Sequence, residues 1–162
     1  KESGCVELAF GVETVDDNVM KIIDKTWQNQ KSITRCIEDA KKVGINVKIC
    51  LILGLPGEKK DIADSTLNFL REIKPNYVSV SGFLPVPGSP IARNFKKFGI
   101  KMVEKDWNKY AHLLYRFSDE EEVGLPFEFN KITPWGKSLS NSEIKENVIR
   151  IQTWLRENSM VY

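Results

Sequence analysis

ILGLPGE, residues 52–58, closes an apolar and β-branched run from Val47 to Leu53 and leads into an amphipathic helix. The apolar positions of that helix are Ile62, Thr66, Phe69, Leu70 and Ile73, and it stops before Pro75, because the residue preceding a proline is disfavoured in the α region. A buried strand, NVKICLIL (46–53), thus ends in a tight Gly-Leu-Pro-Gly turn. Glu58 is expected in the first turn of the following helix, where a carboxylate complements the positive end of the helix dipole. In parallel α/β proteins, ligands sit at the carboxyl ends of such strands.

The same style recurs on both sides. Upstream, Val6 to Phe10 (VELAF) reads as a short buried strand ending at FGVET (10–14). A short helical stretch runs from Val15-Asp16-Asp17 to about Lys25. A longer helix follows, with Ile33, Cys36, Ile37, Ala40 and Val43 at helical spacing. Gly44 suits its C′ position, where positive φ is required. Downstream, Tyr77 to Phe83 (YVSVSGF) reads as a third strand, ending at SGFLPVPGSP (81–90). Strand, helix, strand, helix, strand with short connections forces parallel pairing and right-handed crossovers. Three strand ends therefore face one shared site, and the fold class is parallel α/β.

Past residue 90 the pattern changes. Trp107, Tyr110, Ala111, Leu114 and Phe117 mark a helix, and the acidic run Asp119–Glu122 reads as a solvated face or loop. Pro126 to Pro134 looks irregular or briefly extended. A capping box, Ser140-x-x-Glu143, opens a last helix carrying Ile144, Val148, Ile151 and Leu155. The expected organisation is a barrel-like unit over residues 1–100 and a helical extension over 101–162. Trp107, Trp135 and Trp154 are expected to anchor cores, and nothing decides Trp27. His112, the single histidine, is expected to be a half-exposed structural residue rather than a base.

Composition narrows the function. The 162 residues are 41% hydrophobic and 28% charged, with 24 Lys and Arg against 22 Asp and Glu. That balance lacks the basic excess of a dedicated nucleic-acid binder, so no nucleic-acid partner is expected. No apolar run approaches the roughly 20 residues that span a bilayer, so no membrane role is expected. Cys5, Cys36 and Cys50 form neither a disulfide framework nor a CxxC-type metal site. Cys36 on its helix's apolar face and Cys50 inside its strand are expected as small core residues, with reduced thiols in a cytoplasmic protein. The chain opens Lys1-Glu2-Ser3-Gly4 without Met and enters strand-like sequence almost at once, as a piece of something longer would.

AFGVET (9–14), GINVKICLILGLPGE (44–58) and KPNYVSVSGFLPVPGSPI (74–91), separated by helices, resemble the second half of a radical S-adenosylmethionine enzyme. The resemblance covers roughly residues 4–92. It implies that the three strands are the fourth to sixth of a partial (β/α)6, TIM-like barrel. It also implies S-adenosylmethionine and a [4Fe-4S] cluster as cofactors, and oxidoreductase or transferase chemistry on a small-molecule substrate. The Pro-rich turn after the third strand is similar to the branch whose members often carry a cobalamin-binding domain, which adds cobalamin to the implied cofactors; methylthiotransferases are close relatives of that branch. The cluster-binding CxxxCxxC and the Gly-Gly-Glu segment of the family are absent. Three thiolates must converge from one short loop, so Cys5, Cys36 and Cys50 cannot replace them. The chain alone is then expected to hold no cluster and to be inactive without an N-terminal half.

By the resemblance, the adenosine wall falls on Glu13, Thr14, Leu53, Gly54, Leu55, Phe83 and Leu84. Glu13 and Thr14 suit ribose hydroxyls, while Thr14 or Asp16 could equally cap the next helix. Leu53, Gly54 and Leu55 would give apolar contact and close backbone approach to the adenine, or simply shape a turn. Phe83 and Leu84 would pair the chain with the adenine edge along a path stiffened by Pro85, Pro87 and Pro90; a rigid surface turn is the alternative. No catalytic residue and no metal ligand is assigned. Two other readings stay open: a self-contained small α/β binding module without redox chemistry, and a piece of an aldolase-type lyase barrel. The lyase would need a Schiff-base lysine or metal-binding carboxylates at strand ends, for which Glu13 is the one candidate. A half-barrel also leaves Val6–Phe10 with an unpaired edge, to be met by self-association or by the C-terminal helices.

Overall fold

The computed structural model describes residues 1–106, 110 and 125–161. Three parallel strands form the sheet in the order β1 (Glu7–Glu13), β2 (Asn46–Leu53), β3 (Tyr77–Gly82). Between them run α1 (Asp17–Ile22), α2 (Gln30–Lys42) and α3 (Ile62–Ile73). After β3 come α4 (Pro90–Arg93), a single 3-10 turn (Phe95–Phe98) and β4 (Ile100–Val103). The described chain then resumes with β5 (Phe127–Phe129), β6 (Ile132–Thr133), β7 (Gly136–Lys137) and α5 (Asn141–Glu157). This is the α/β architecture expected of part of a TIM-like barrel.

Strand alternation sets the two faces of the sheet. In β2, Val47, Ile49, Leu51 and Leu53 are buried, while Lys48, Cys50 and Ile52 point the other way. Ile49 pairs with Val78 and Leu51 with Val80, so β3 continues the buried face. Helices α2, α3 and α5 supply Ile37, Leu70 and Ile151 to the same apolar core. Burying a large aliphatic side chain is worth about 1.5–3 kcal/mol, so α5 is an integral part of this core. Helix α5 packs against α3 and β3, and Arg150 bonds Asp64 across the two helices.

Local chemistry explains the ends of the elements. The expected Ser140–Glu143 capping box opens α5, and Asn29 with Ser32 forms another on α2. Gly44 follows α2 at φ 72°, as its position demands. Lys74 ends α3 in the left-handed region at φ 46°, directly before Pro75.

Several expectations need correction. Strand β1 continues past Phe10 to Glu13. Cys36 is exposed, as is Val43, because Ile33, Ile37 and Ala40 form the line of α2 that faces the core and leave these two on its flank. Cys50 is half-buried on the face of β2 opposite the helices. Trp135 is partly exposed rather than a core anchor, and Trp27 is 73% exposed. Trp154 is half-buried, with the Arg71 guanidinium 5.6 Å from its ring. Beyond residue 100, two antiparallel pairs, β4 with β5 and β6 with β7, precede the final helix. Trp107, Ala111, His112, Leu114, Phe117 and the run 119–122 lie outside the described residues. Tyr110 is buried and donates its hydroxyl to the Glu104 carbonyl at 2.8 Å.

The two sheet edges differ. On the β3 side, the Val78 amide donates to the Met160 carbonyl at 2.8 Å, and Val161 forms a parallel bridge with Val78. The C-terminal residues thus reach the β3 edge. Strand β1 is the other edge, with Val6 and Leu8 exposed. Among the described residues, no helix is long and apolar enough to cross a membrane.

Candidate functional site

At the carboxyl end of β1, the register against β2 shifts between Gly11 and Glu13. This bulge holds Glu13 at φ 63°, a left-handed conformation rare for a residue with a Cβ. The Glu13 Oε1 accepts from Lys25 Nζ at 3.0 Å, and the same amine donates to the Gly11 carbonyl at 2.8 Å. Gln28 Nε2 donates to the Val12 carbonyl at 3.0 Å. Thr14 is buried, and its hydroxyl accepts from the Asp16 amide at 3.2 Å. Asp16 in turn caps α1 through the Asn18 and Val19 amides. The Thr14 hydroxyl therefore serves the turn into α1.

The end of β2 is closed by its own glutamate. Gly54 sits at φ 83° and donates its amide to Glu58 Oε2 at 2.7 Å. The Glu58 amide donates to the Leu55 carbonyl at 3.2 Å. Glu58 lies ahead of α3, which begins at Ile62, so it is not the helix-dipole partner expected from the sequence. Its carboxyl folds back over the turn, and the residue is 2% exposed. Burial pushes its pKa up to about 8, against the lowering effect of the Gly54 and Leu55 backbone bonds; the nearby negative charge of Asp16 raises it further. Glu58 Oε1 is buried without a hydrogen-bond partner. A proton on the carboxyl avoids a buried charge there.

The end of β3 is tied to that of β2 by the Phe83 amide, which donates to the Leu53 carbonyl at 2.7 Å. Phe83 is buried with its ring edge-to-face on Phe127, centroids 5.1 Å apart. Leu84 is half-buried, and its carbonyl accepts from the Val86 amide at 2.8 Å. The Leu84 amide itself makes no hydrogen bond among the described residues.

Glu13, Gly54 and Phe83–Leu84 thus stand in a row on three adjacent strand ends. Leu53, Leu55 and Phe83 turn their side chains into the apolar core, so what they offer a ligand is backbone. Glu13 supplies a carboxylate beside an ammonium, with both side chains 22% exposed. A carboxylate acceptor and an unbonded amide form a donor–acceptor set that suits a nucleoside. The set does not suit an iron–sulfur cluster. Cys5 precedes β1, Cys36 is on α2 and Cys50 is in β2, so three thiolates cannot meet. Among the described residues, no group of three or more His, Cys, Asp and Glu could hold a metal. Lys25, Gln28, Ile144 and Phe127 also shape these strand ends. Nothing in their local sequence marks them, because each reaches its partner through the fold.

The family model described as the Radical SAM superfamily matches residues 1–70. An uncharacterized methyltransferase of Pyrococcus horikoshii is 28% identical over 116 residues, 68% of this chain and 24% of the relative. The heme chaperone HemW of Buchnera aphidicola is 30% identical over 79 residues, 49% of this chain and 21% of the relative. The chain therefore spans about a quarter of the length of these curated relatives. The radical S-adenosylmethionine methyltransferase TsrM from Kitasatospora setae, solved with cobalamin and a [4Fe-4S] cluster bound, matches 98% of this chain over 34% of its own. The TM-score is 0.58 at 13% identity, a likeness of fold alone. Strand ends, sequence relatives and fold agree in their likeness to the radical S-adenosylmethionine superfamily, whose model matches residues 1–70 of this chain.

Proposed function

We propose that this chain forms the nucleoside-gripping wall of a radical S-adenosylmethionine enzyme of methyltransferase type. One observation carries the reading: three adjacent parallel strand ends align the Glu13 carboxylate, the Gly54–Leu55 turn and the Phe83–Leu84 backbone. The first two of these lie inside the matched segment. S-adenosylmethionine, when bound, supplies the adenosyl or methyl group. The chain's own part is to bind and orient: Glu13 accepts from ribose hydroxyls, and the Leu84 amide is free for the adenine edge. The packed turn at Gly54–Glu58 keeps water from beneath the ligand.

The cluster ligands belong to another part of the protein, so the chain by itself is inactive, and its N-terminal remainder is its first partner. A small molecule is the substrate, and no membrane or nucleic acid takes part. The methyltransferase relative and the cobalamin-bound fold neighbour support a reading of methyl transfer with cobalamin as a third cofactor. Residues 1–100 form the barrel portion and 101–162 its extension. The exposed β1 edge meets that remainder or a second copy, and free cysteines fit a reducing cytoplasm.

Titration of the chain with S-adenosylhomocysteine, followed by amide NMR, tests this. Shifts centred on Glu13, Gly54, Leu55, Phe83 and Leu84 are expected. Shifts at the amino ends of the strands, or none at millimolar ligand, would sink the assignment. Anaerobic reconstitution provides a second check, since stoichiometric uptake of iron and sulfide would contradict the missing cluster site.

A further inference from the structure

We infer that Lys25 is the positioning residue for the Glu13 carboxylate, holding it so that Oε2 is left to accept from a ligand's vicinal diol. This rests on the reading of Glu13 as the ribose contact. Its support is a set of contacts built around a single side chain.

The Lys25 amine makes two bonds at once, to Glu13 Oε1 at 3.0 Å and to the Gly11 carbonyl at 2.8 Å. It therefore fixes the carboxylate relative to the strand that carries it. Glu13 Oε2 accepts no hydrogen bond among the described residues, and the side chain is partly exposed. One carboxylate oxygen is engaged and the other, with two lone pairs, is open to accept from a ligand's hydroxyls.

Both ends of this contact stand on constrained backbone. Glu13 is at φ 63° in the β-bulge. Lys25 follows Asp24, itself at φ 62° just past the end of α1. The Lys25 amide donates to the Met20 carbonyl at 2.8 Å, and the Asp24 amide to the Lys21 carbonyl at 3.2 Å. That pair of bonds is the Schellman pattern, here without its usual glycine. Met20 is fully buried, so the turn that projects Lys25 is anchored in the core. Non-glycine residues at positive φ persist where the surrounding structure over-determines them, and they gather at ligand clamps.

Gly11 completes the cradle. A Cβ there would fall 2.7 Å from Glu13 Oε1 and 3.6 Å from Lys25 Nζ. The carboxylate thus folds back into space that any other residue at position 11 would fill. A surface ion pair alone would need neither the bulge nor that glycine.

The test is equilibrium binding of adenosine and of 2′,3′-dideoxyadenosine to the chain, by NMR titration. The wild type is expected to prefer adenosine by about tenfold or more. Lys25→Met should reduce the preference to less than about threefold, and Lys25→Arg should keep most of it. Lys21→Met, which removes an exposed charge in the last turn of α1 and no bond to the carboxylate, should keep all of it. If Lys25→Met retains the wild-type preference, the positioning role is wrong while the ribose reading stands. A wild type without preference removes the ribose reading, and the positioning role with it. Should Lys25→Met fail to fold by circular dichroism, Gly11→Ala displaces the same carboxylate from beneath. It should lose the preference, and keeping it would equally overturn the inference.

Discussion

Ile144 occupies the space that a side chain on Gly54 would need: a Cβ built on that glycine falls 2.8 Å from Ile144 Cγ2. The turn that closes β2 is therefore shaped by a residue of the last helix. Gly54→Ala meets both this contact and the strain of φ 83°, and should cost more than about 2 kcal/mol in denaturant unfolding. Ile144→Ala, at a fully buried position, should cost about 2–5 kcal/mol. The double variant should lose clearly less than the sum, because the alanine at 144 makes room for the one at 54. Strict additivity would show that the two do not meet.

Glu58 makes stability depend on pH in an unusual direction for an acid. Its folded pKa, about 8, lies above the ordinary 4.5, because burial penalises the charged form. The folded chain thus holds a proton that the unfolded chain gives up near 4.5. The stability linked to that proton is complete below about 4.5 and is lost as the pH rises through about 8, with a slope of at most ~1.4 kcal/mol per pH unit. Urea midpoints between about pH 5 and pH 9 should fall and then level off. Glu58→Gln, which keeps an oxygen for the Gly54 amide, should flatten this slope and exceed the wild type at about pH 8. The same slope in both proteins would refute the assignment.

Lys74 is the left-handed cap of α3, and its carbonyl accepts from Lys41 Nζ at 2.9 Å. Lys74 contributes only its backbone to that bond, so Lys74→Gly preserves it while relieving the strain of φ 46°. A gain of ~0.5–1 kcal/mol is expected after the added unfolded-chain entropy of glycine is subtracted. Thermal melting measures it, and a lower Tm would count against the cap geometry.

Phe127 joins the strand-end layer to the C-terminal ribbon, edge-to-face on Phe83 at 5.1 Å and on Phe129 at 5.2 Å. It is fully buried. Phe127→Ala should cost about 3–5 kcal/mol and should shift the Phe83 and Leu84 amide resonances. A large loss of stability with those resonances unmoved would separate the ribbon from the candidate site.

Much of the fold was legible because it rests on local patterns. Strand β2 spans the expected 46–53 and α3 carries the expected apolar face, since strand alternation and helical spacing are properties of a short segment. The Ser140–Glu143 box needs only its own four residues. Cys36 shows where this ends: helical spacing places it near the apolar stripe, but the width of the covered stripe depends on how α2 meets its neighbours. Glu58 shows the same limit more sharply. An acidic residue just after a turn fits the start of a helix, yet the chain bends it back into the dry interior.

The sequence by itself determined the parallel α/β order, the three strand ends in a row and the resemblance of GLPGE and its companions to one family. These follow from periodicity and turn chemistry, which act over a few residues. Tertiary structure alone decided that ILGLPGE ends under Ile144, that Glu58 keeps its proton and that Lys25 grips Glu13. Packing density, burial and charge contact depend on residues distant in the chain, and their positions are not written in any one segment.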